Sequence, residues 1–152
     1  MEGNAAFIDG YLVHNKLSKD EAITFCIDTG AGSTCLFELE AIALGINVHK
    51  LRRGRDSHGV GGTVNTFLLE NAKIKFLSDQ HQWAVVSFGA IPVIAQRNNL
   101  VRRVIGILAK ITPIGRKKLA GEERRGLPNL LGFDFLKDCK ISFSATEAYL
   151  DI

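Results

Sequence analysis

The run FCIDTGAGST, residues 25–34, is the part of the chain whose residue types and order could do chemistry. A short apolar segment rich in strand formers ends abruptly at Asp28, and small, turn-forming residues follow the carboxylate. One carboxylate cannot easily both take and give a proton. Two aspartates that share a proton can, because like charges roughly 3 Å apart cannot both ionise. One then activates a water and the other protonates a carbonyl oxygen, so the run predicts half of an acid–base pair.

The second carboxylate of such a pair has to come from outside this run. Asp28 is the only aspartate followed by Thr-Gly or Ser-Gly. The other aspartates stand in different settings, at positions 9, 20, 56, 79, 134, 138 and 151. A two-fold dimer supplies the partner simply, since each copy brings the same residue to the axis. We therefore expect a homodimer.

The elements before and after this run read mostly as strands. Residues 5–13 predict a first strand, broken or bent near Asp9-Gly10, and residues 22–27 predict a second, buried strand. Residues 37–44 have helical character and end at Gly45, a residue type that favours the end of a helix.

The middle of the chain predicts further strands. Residues 49–55 predict a basic loop, and residues 57–67 predict a hairpin with a glycine-rich tip. The partly alternating segment 68–77 predicts a strand, and the apolar segment 83–95 predicts one or two more.

The last third of the chain differs in kind. Residues 98–112 carry apolar residues at helical spacing and predict an amphipathic helix, which a basic loop follows over 113–126. Residues 133–138 predict a short helix, and residues 141–143 and 148–152 predict a terminal hairpin.

Three of these features, in this order, resemble the retropepsin-like aspartic proteases, the single-domain, dimeric, retroviral type. They are the apolar-apolar-Asp-Thr-Gly-Ala run within 25–31, the glycine-rich hairpin at 59–62, and Leu130-Leu131-Gly132 before a short helix. The tripeptide alone is a weak signal, but the three together at this spacing are a strong one. The resemblance covers roughly residues 5–96 and 127–152. It implies an all-β acid protease fold, a closed barrel with a flap hairpin and a short C-terminal helix. The apolar spacing at 98–112 adds an extra inserted helix to this fold.

The resemblance also implies roles for single residues. Asp28 resembles the catalytic carboxylate, Thr29 the threonine whose hydroxyl bonds across the dimer axis, and Gly30 the glycine whose backbone approaches both the loop and the substrate. Leu131 and Gly132 resemble the strand that passes closely behind the catalytic loop. The flap closes over the peptide and excludes water. Its tip and the neighbouring cleft would be formed by His58, Gly59, Val60, Gly61, Gly62 and Ala31.

The chain departs from the family pattern in two places. Many relatives carry arginine after the late glycine, where Phe133 stands here. That puts in doubt any ion pair that the arginine makes at the dimer interface. Residues 97–126 form a basic insertion in what we interpret as a single domain, 1–152, and nothing in the resemblance explains the insertion.

The function implied is that of a homodimeric aspartic endopeptidase. A water held by the two Asp28 residues attacks the scissile carbonyl without a covalent intermediate, and no metal or cofactor is needed. The substrate would be an extended peptide held partly by strand-like backbone hydrogen bonds. Apolar side chains near the cleaved bond are expected, with pocket walls from Ile27, Ala31, Val60 and Val93.

A different reading is a catalytically silent module that binds peptides, or that binds acidic partners or nucleic acid through the basic segment. Residues 97–126 hold nine of the 19 basic residues and only two of the 16 acidic ones. Between Gly89 and Phe133 there is no aromatic residue to stack on bases, which disfavours nucleic acid without removing it as an alternative.

Composition and cysteine usage indicate a folded protein of a reducing compartment. With 46% hydrophobic and 23% charged residues, the 152-residue chain has enough to bury, which excludes disorder over most of its length. Three widely spaced cysteines disfavour a disulfide framework and favour a reducing compartment. No basic residue precedes Tyr11, and charges interrupt every apolar stretch. We therefore expect a cytoplasmic protein with neither a secretory signal nor a membrane span.

Overall fold

The computed structural model describes residues 5–59, 62–78, 81–95, 128–143 and 148–151. These residues are mostly β-strand, as the sequence predicts. The strands are β1 Phe7–Val13, β2 Glu21–Ile27, β3 Leu36–Phe37, β4 Arg52–Arg53, β5 Ser57–Gly59, β6 Gly62–Val64, β7 Thr66–Glu70, β8 Lys73–Leu77, β9 Trp83–Ser87, β10 Ala90–Ile94, β11 Asn129–Leu131, β12 Lys140–Phe143 and β13 Ala148–Asp151. The helices are α1 Glu38–Ala43 and α2 Phe133–Leu136, with a 3₁₀ turn at Val48–Lys50. The helix predicted over 98–112 lies outside the described residues.

One compact unit contains residues 5–35, 70–91 and 128–151. Its five-stranded sheet has the order β11-β2-β1-β8-β9, with β1 antiparallel to both β2 and β8. One face of the sheet buries its side chains completely, among them Leu12, Phe25, Ile74 and Phe76. The strand β1 runs unbroken through Gly10, where a bend was predicted. A Cβ on Gly10 would come within 3.0 Å of the Ile74 and Phe76 side chains, so this glycine allows close packing instead of a bend.

The closed barrel expected from the resemblance is not what the described strands form. They make four separate sheets, of five, four, two and two strands, and the five-stranded sheet ends at β11 on one side and β9 on the other. The outer edge of β11 bonds instead to Cys35, through Cys35 N–H to Leu130 O at 2.9 Å and Leu130 N–H to Cys35 O at 3.0 Å. This edge therefore holds the loop that follows β2 and is not available to close the sheet against β9.

The second compact unit contains the described residues 36–69 and 92–95. Its four-stranded sheet has the order β3-β10-β7-β4. Helix α1 ends before Gly45, which has φ +84°, the left-handed conformation that glycine adopts most readily. The predicted basic loop 49–55 holds the 3₁₀ turn and β4, because Arg52 and Arg53 pair with β7.

Two further local predictions can be compared with the structure. The segment 68–77 is divided between β7 and β8 by a turn at Asn71, whose φ is +57°. The terminal hairpin is confirmed, with Ile141 opposite Leu150. No helix among the described ranges is long and apolar enough to cross a membrane. All three cysteines are unpaired thiols.

Candidate active site

Asp28 is the first residue after β2, and its loop orients the carboxylate. The Asp28 N–H donates to Leu131 O at 3.1 Å, and Ala31 N–H donates to Asp28 O at 3.1 Å, which closes a tight turn. The Gly30 N–H donates to Asp28 Oδ1 at 2.9 Å. Asp28 is half-buried, and no described residue donates a hydrogen bond to Oδ2. One carboxylate oxygen is therefore fixed by the backbone, while the other is open to a water or a second carboxyl group.

Strand β11 lies between the two arms of this loop. It runs parallel to β2 on one side, with Leu131 opposite Ile27. On its other side it pairs in antiparallel fashion with Cys35, at the far end of the loop. Both ends of the loop are thus attached to the same three-residue strand, which restricts the position of Asp28.

Gly132 permits the close approach that this arrangement requires. A Cβ built on Gly132 would lie 2.3 Å from Ser33 C and 2.5 Å from Ser33 O. These are backbone atoms, so a Cβ at position 132 could be accommodated only if the backbone of Ser33 moved. Gly132 itself has φ −94°, a value open to any residue, so the requirement for glycine here is one of space.

A hydrogen-bond cluster that joins the exposed Asp134 to the buried Thr34 fixes the far end of the loop. Asp134 Oδ1 accepts from Thr34 N at 2.8 Å, from Thr34 Oγ1 at 2.8 Å and from Phe135 N at 2.9 Å. Gly132 N–H in turn donates to Thr34 Oγ1 at 3.1 Å. Thr34 has no exposed surface, so its backbone and hydroxyl groups depend on these partners.

Helix α2 connects this cluster to the core of the unit. Phe133 N–H donates to Ala31 O at 2.7 Å, so the first turn of α2 is bonded directly to the Asp28 loop. The Phe135 ring stacks on Phe76 with centroids 5.3 Å apart and tilts against Phe88 at 6.3 Å. The aromatic contacts hold α2 on the sheet, and α2 holds the loop.

Two thiols flank the Asp28 loop, and both are kept protonated. Burial, with a smaller effect from the Asp28 carboxylate, raises the pKa of Cys26. Burial raises the pKa of the Cys35 thiol to about 11, against a partial lowering by the Leu130 hydrogen bond. A protonated thiol is a poor nucleophile, so neither cysteine supplies thiolate chemistry at neutral pH.

The predicted flap corresponds to the hairpin of β5 and β6 in the second unit. His58 lies opposite Thr63 and Gly59 opposite Gly62, and His58 Nδ1 and Thr63 Oγ1 share a hydrogen bond of 2.9 Å. Gly62 has φ +99°, which requires glycine in practice. Val60 and Gly61 lie outside the described residues, so the tip and its role stay predictions.

The structure brings together part of the predicted set. Asp28, Thr29, Gly30 and Ala31 share one loop, and Leu131 and Gly132 lie directly behind it. His58, Gly59 and Gly62 lie together on the hairpin of the second unit. Val93, expected as a pocket wall, has no exposed surface and belongs to the core of its sheet.

Sequence reasoning missed two residues of the site, Thr34 and Asp134. The signal for Asp134 was its place in the first turn of a short predicted helix, where a carboxylate accepts backbone hydrogen bonds. Nothing local indicated Thr34 as its partner, because the two residues are 100 positions apart.

Comparison with known proteins finds similar solved structures but no sequence family. No protein-family model matches the chain, and no curated protein matches it. Among solved structures, the chain is similar to a retropepsin-like aspartic protease from Rickettsia conorii, with 16% identity and a TM-score of 0.48. The match covers 99% of this chain and 92% of that one. The function of this chain therefore has to follow from its own residues.

Proposed function

We propose that this chain is an aspartic endopeptidase that works as a homodimer, with Asp28 from each copy forming the catalytic pair. The observation that carries the proposal is the hydrogen bonding of the Asp28 carboxylate. Its Oδ1 is fixed by Gly30 N–H, its Oδ2 has no donor among the described residues, and its loop is attached at both ends to β11. A group held in this way is preorganised for acid–base work.

The need for a second copy follows from the other carboxylates of the same unit. Asp134 lies near the loop, but its Oδ1 already accepts three hydrogen bonds that hold Thr34 and α2. Asp9 accepts a hydrogen bond from Thr24 Oγ1 at 2.6 Å, on the side of β1 that alternates away from the core. Neither residue is available to share a proton with Asp28, so a second Asp28 is the simplest partner.

The proposed chemistry uses a water held between the two carboxyl groups. The ionised Asp28 takes a proton from the water as its oxygen attacks the carbonyl carbon, and the protonated Asp28 donates to the carbonyl oxygen. The tetrahedral diol then collapses, the C–N bond breaks, and the nitrogen leaves with a proton from the pair.

The substrate in this proposal is an extended peptide, bound through backbone hydrogen bonds of the kind that join strands. The resemblance assigns the hairpin of β5 and β6 the role of the flap. The cross-strand hydrogen bond between His58 and Thr63 stiffens the base of this hairpin.

Cleavage of a diverse peptide pool tests the proposal. Wild type, Asp28→Asn and Asp138→Asn are incubated with the pool from pH 3 to 8, and new termini are identified by mass spectrometry. Asp138 is exposed and its carboxylate lies 4.0 Å from Lys137 Nζ, so its substitution controls for the chemical change itself. We expect Asp138→Asn to cleave like wild type and Asp28→Asn to lose about a thousandfold or more in rate. Equal cleavage by Asp28→Asn would overturn the proposal.

Mixing the two proteins tests whether both carboxylates act in one dimer. With nine parts of Asp28→Asn to one part of wild type, a wild-type chain finds a wild-type partner in about one encounter in ten. We expect the activity per wild-type chain to fall to about that fraction after the subunits exchange. Activity that is independent of added Asp28→Asn would show that each chain works alone.

A further inference from the structure

Strand β9 is an edge of the five-stranded sheet, and its outer side pairs with no other described strand. Two hydrogen bonds of 2.8 Å at its ends fix which of its residues bond to β8, namely Ser78 N–H to Gln82 O and Phe88 N–H to Ala72 O. In an antiparallel pair every second residue is bonded to the neighbouring strand. The even-numbered residues of β9 therefore bond to β8. The N–H and C=O groups that face the open side belong to Trp83, Val85 and Ser87.

This open edge carries none of the features that keep sheets from pairing with one another. Edge strands are usually protected by a charged side chain, a proline or a bulge. Strand β9 has the sequence WAVVS, without charge or proline, and its register with β8 is continuous from Trp83 to Ser87. By contrast, β4 is an edge of the four-stranded sheet and consists of Arg52 and Arg53. The edge of β9 is therefore open to a further strand.

The side chains beside this edge are apolar and exposed. Trp83 is 55% exposed and Val85 52%, and both point to the outer face of the sheet, away from the core. Phe7, Tyr11 and Leu77 are exposed on the same face, and the Tyr11 ring meets Trp83 at 5.4 Å. These five are all but one of the exposed large apolar side chains among the described residues. A strand added to β9 thus gains apolar neighbours, which favours an uncharged occupant.

A second copy of β9 meets these requirements. A two-fold axis at Val85 makes the two strands antiparallel and puts Val85 opposite Val85 and Trp83 opposite Ser87. Each of these pairs exchanges two backbone hydrogen bonds, because all three residues have their N–H and C=O on the open side. Lys75 lies beside Val85 on the same face and is paired with Asp20. The two copies of Lys75 would be about 14 Å apart, beyond the Debye length of about 10 Å, so their repulsion is weak.

We propose that β9 is a self-pairing edge, through which two copies of this chain join their five-stranded sheets into one continuous sheet. The inference does not rest on the proposed function, because β9 is the edge opposite β11, the strand to which the Asp28 loop is attached. Two different two-fold contacts on one chain cannot both be satisfied within a pair. A chain that also pairs through Asp28 therefore builds assemblies larger than a dimer.

Disulfide trapping between introduced cysteines tests the register of this contact. In the proposed pair the two Val85 Cα atoms are about 5.5 Å apart, within the range of a disulfide. The two Ser87 Cα atoms are offset by four residues along the strands, about 14 Å, which is too far. We expect Val85→Cys to form a covalent dimer under mild oxidation. Ser87→Cys, at a position that is also exposed, should do so at least about tenfold more slowly.

A mixture of Trp83→Cys and Ser87→Cys provides a second reading of the register. These two positions lie opposite each other in the proposed pair, so the mixture should cross-link although neither variant does so alone. Mass spectrometry of the digested product identifies the joined cysteines and separates them from the native thiols, Cys26, Cys35 and Cys139. If Ser87→Cys alone cross-links as fast as Val85→Cys, the contact is a random collision and the inference is overturned. If none of these samples cross-links, a second copy is not the occupant, and the inference is equally overturned.

A charge at the axis tests the same contact by weakening it. Val85→Lys, added to both members of the mixture, places two ammonium groups opposite each other in the paired state, whereas Val85→Thr keeps an uncharged, β-branched side chain. We expect the lysine to slow trapping of the mixture about tenfold and the threonine to change it less than about threefold. Circular dichroism shows whether each variant is folded. Equal trapping rates in folded Val85→Lys and Val85→Thr would contradict pairing at this edge.

Discussion

One added methyl group at Gly132 tests the arrangement that holds the Asp28 loop. In Gly132→Ala the new Cβ would lie 2.3 Å from Ser33 C and 2.6 Å from Thr34 N, whereas ordinary contact begins near 3.4 Å. The backbone of Ser33 and Thr34 must therefore move by about 1 Å. That displacement would break the 3.1 Å hydrogen bond from Gly132 N–H to Thr34 Oγ1 and strain the 2.8 Å bond from Thr34 N–H to Asp134.

The magnitude follows from these two effects. Overpacking of this kind costs about 1–3 kcal/mol, and each lost hydrogen bond costs about 1 kcal/mol more. We expect the free energy of unfolding to fall by about 4 kcal/mol and the Tm by roughly 10 °C. Because a 1 Å misplacement of a catalytic group costs about a hundredfold in rate, the folded fraction should also lose about that much activity.

Gly32→Ala is the control for this measurement. It makes the same chemical change in the same loop, but nothing lies within 4 Å of the added Cβ. Denaturant unfolding followed by circular dichroism should show it within about 0.5 kcal/mol of wild type. If Gly132→Ala were equally stable, the close passage of β11 behind the loop would not be the constraint that we describe.

Two further predictions concern groups beside the loop. Asp134→Ala should lower the free energy of unfolding by about 2–3 kcal/mol, because it leaves the buried Thr34 N–H without its acceptor. Asp134→Asn keeps a carbonyl oxygen and should recover most of this loss. Equal losses in the two variants would argue against the hydrogen-bond role. The Cys35 thiol, with its pKa raised by burial from 9.0 to about 11, ionises first in the unfolded chain. Its contribution is therefore complete below pH 9 and is lost as pH rises towards 11, by about 2–3 kcal/mol, and Cys35→Ala should show a correspondingly shallower dependence in unfolding experiments across that range.

The sequence indicated the parts of the site that depend on neighbouring residues. The turn of Asp28, Gly30 and Ala31 could be predicted because these residue types stand within four positions of one another. The end of α1 at Gly45 could be predicted because this glycine adopts a left-handed conformation by itself. The hydrogen bond between Thr34 and Asp134 could not be predicted, because it joins residues 100 positions apart. Each of the two residue types is also common in ordinary turns and helix caps.

Tertiary pairing also explains the errors in the fold. The expected closed barrel required the outer edge of β11 to continue the sheet, but that edge bonds to Cys35. Arg52 and Arg53 read as loop residues by composition, yet they pair with Phe67 and Leu68 because β7 offers an open edge there. The bend predicted in β1 assumed that Gly10 is a turn residue. In the structure this glycine instead leaves room for the Phe76 side chain to pack against the strand.

The place of β11 in the sequence has a consequence for the order in which the protein folds. Asn129 bonds to Thr24 across 105 residues, a separation that slows folding because a long stretch of chain must be ordered before the contact forms. During synthesis, β1 and β2 leave the ribosome long before β11 and α2 exist, so the Asp28 loop has no partner on its inner side. In the proposed function, the loop that holds Asp28 is therefore complete only after β11 and α2 have been made, and a nascent chain that stops before Asn129 lacks the strand to which both ends of this loop are attached.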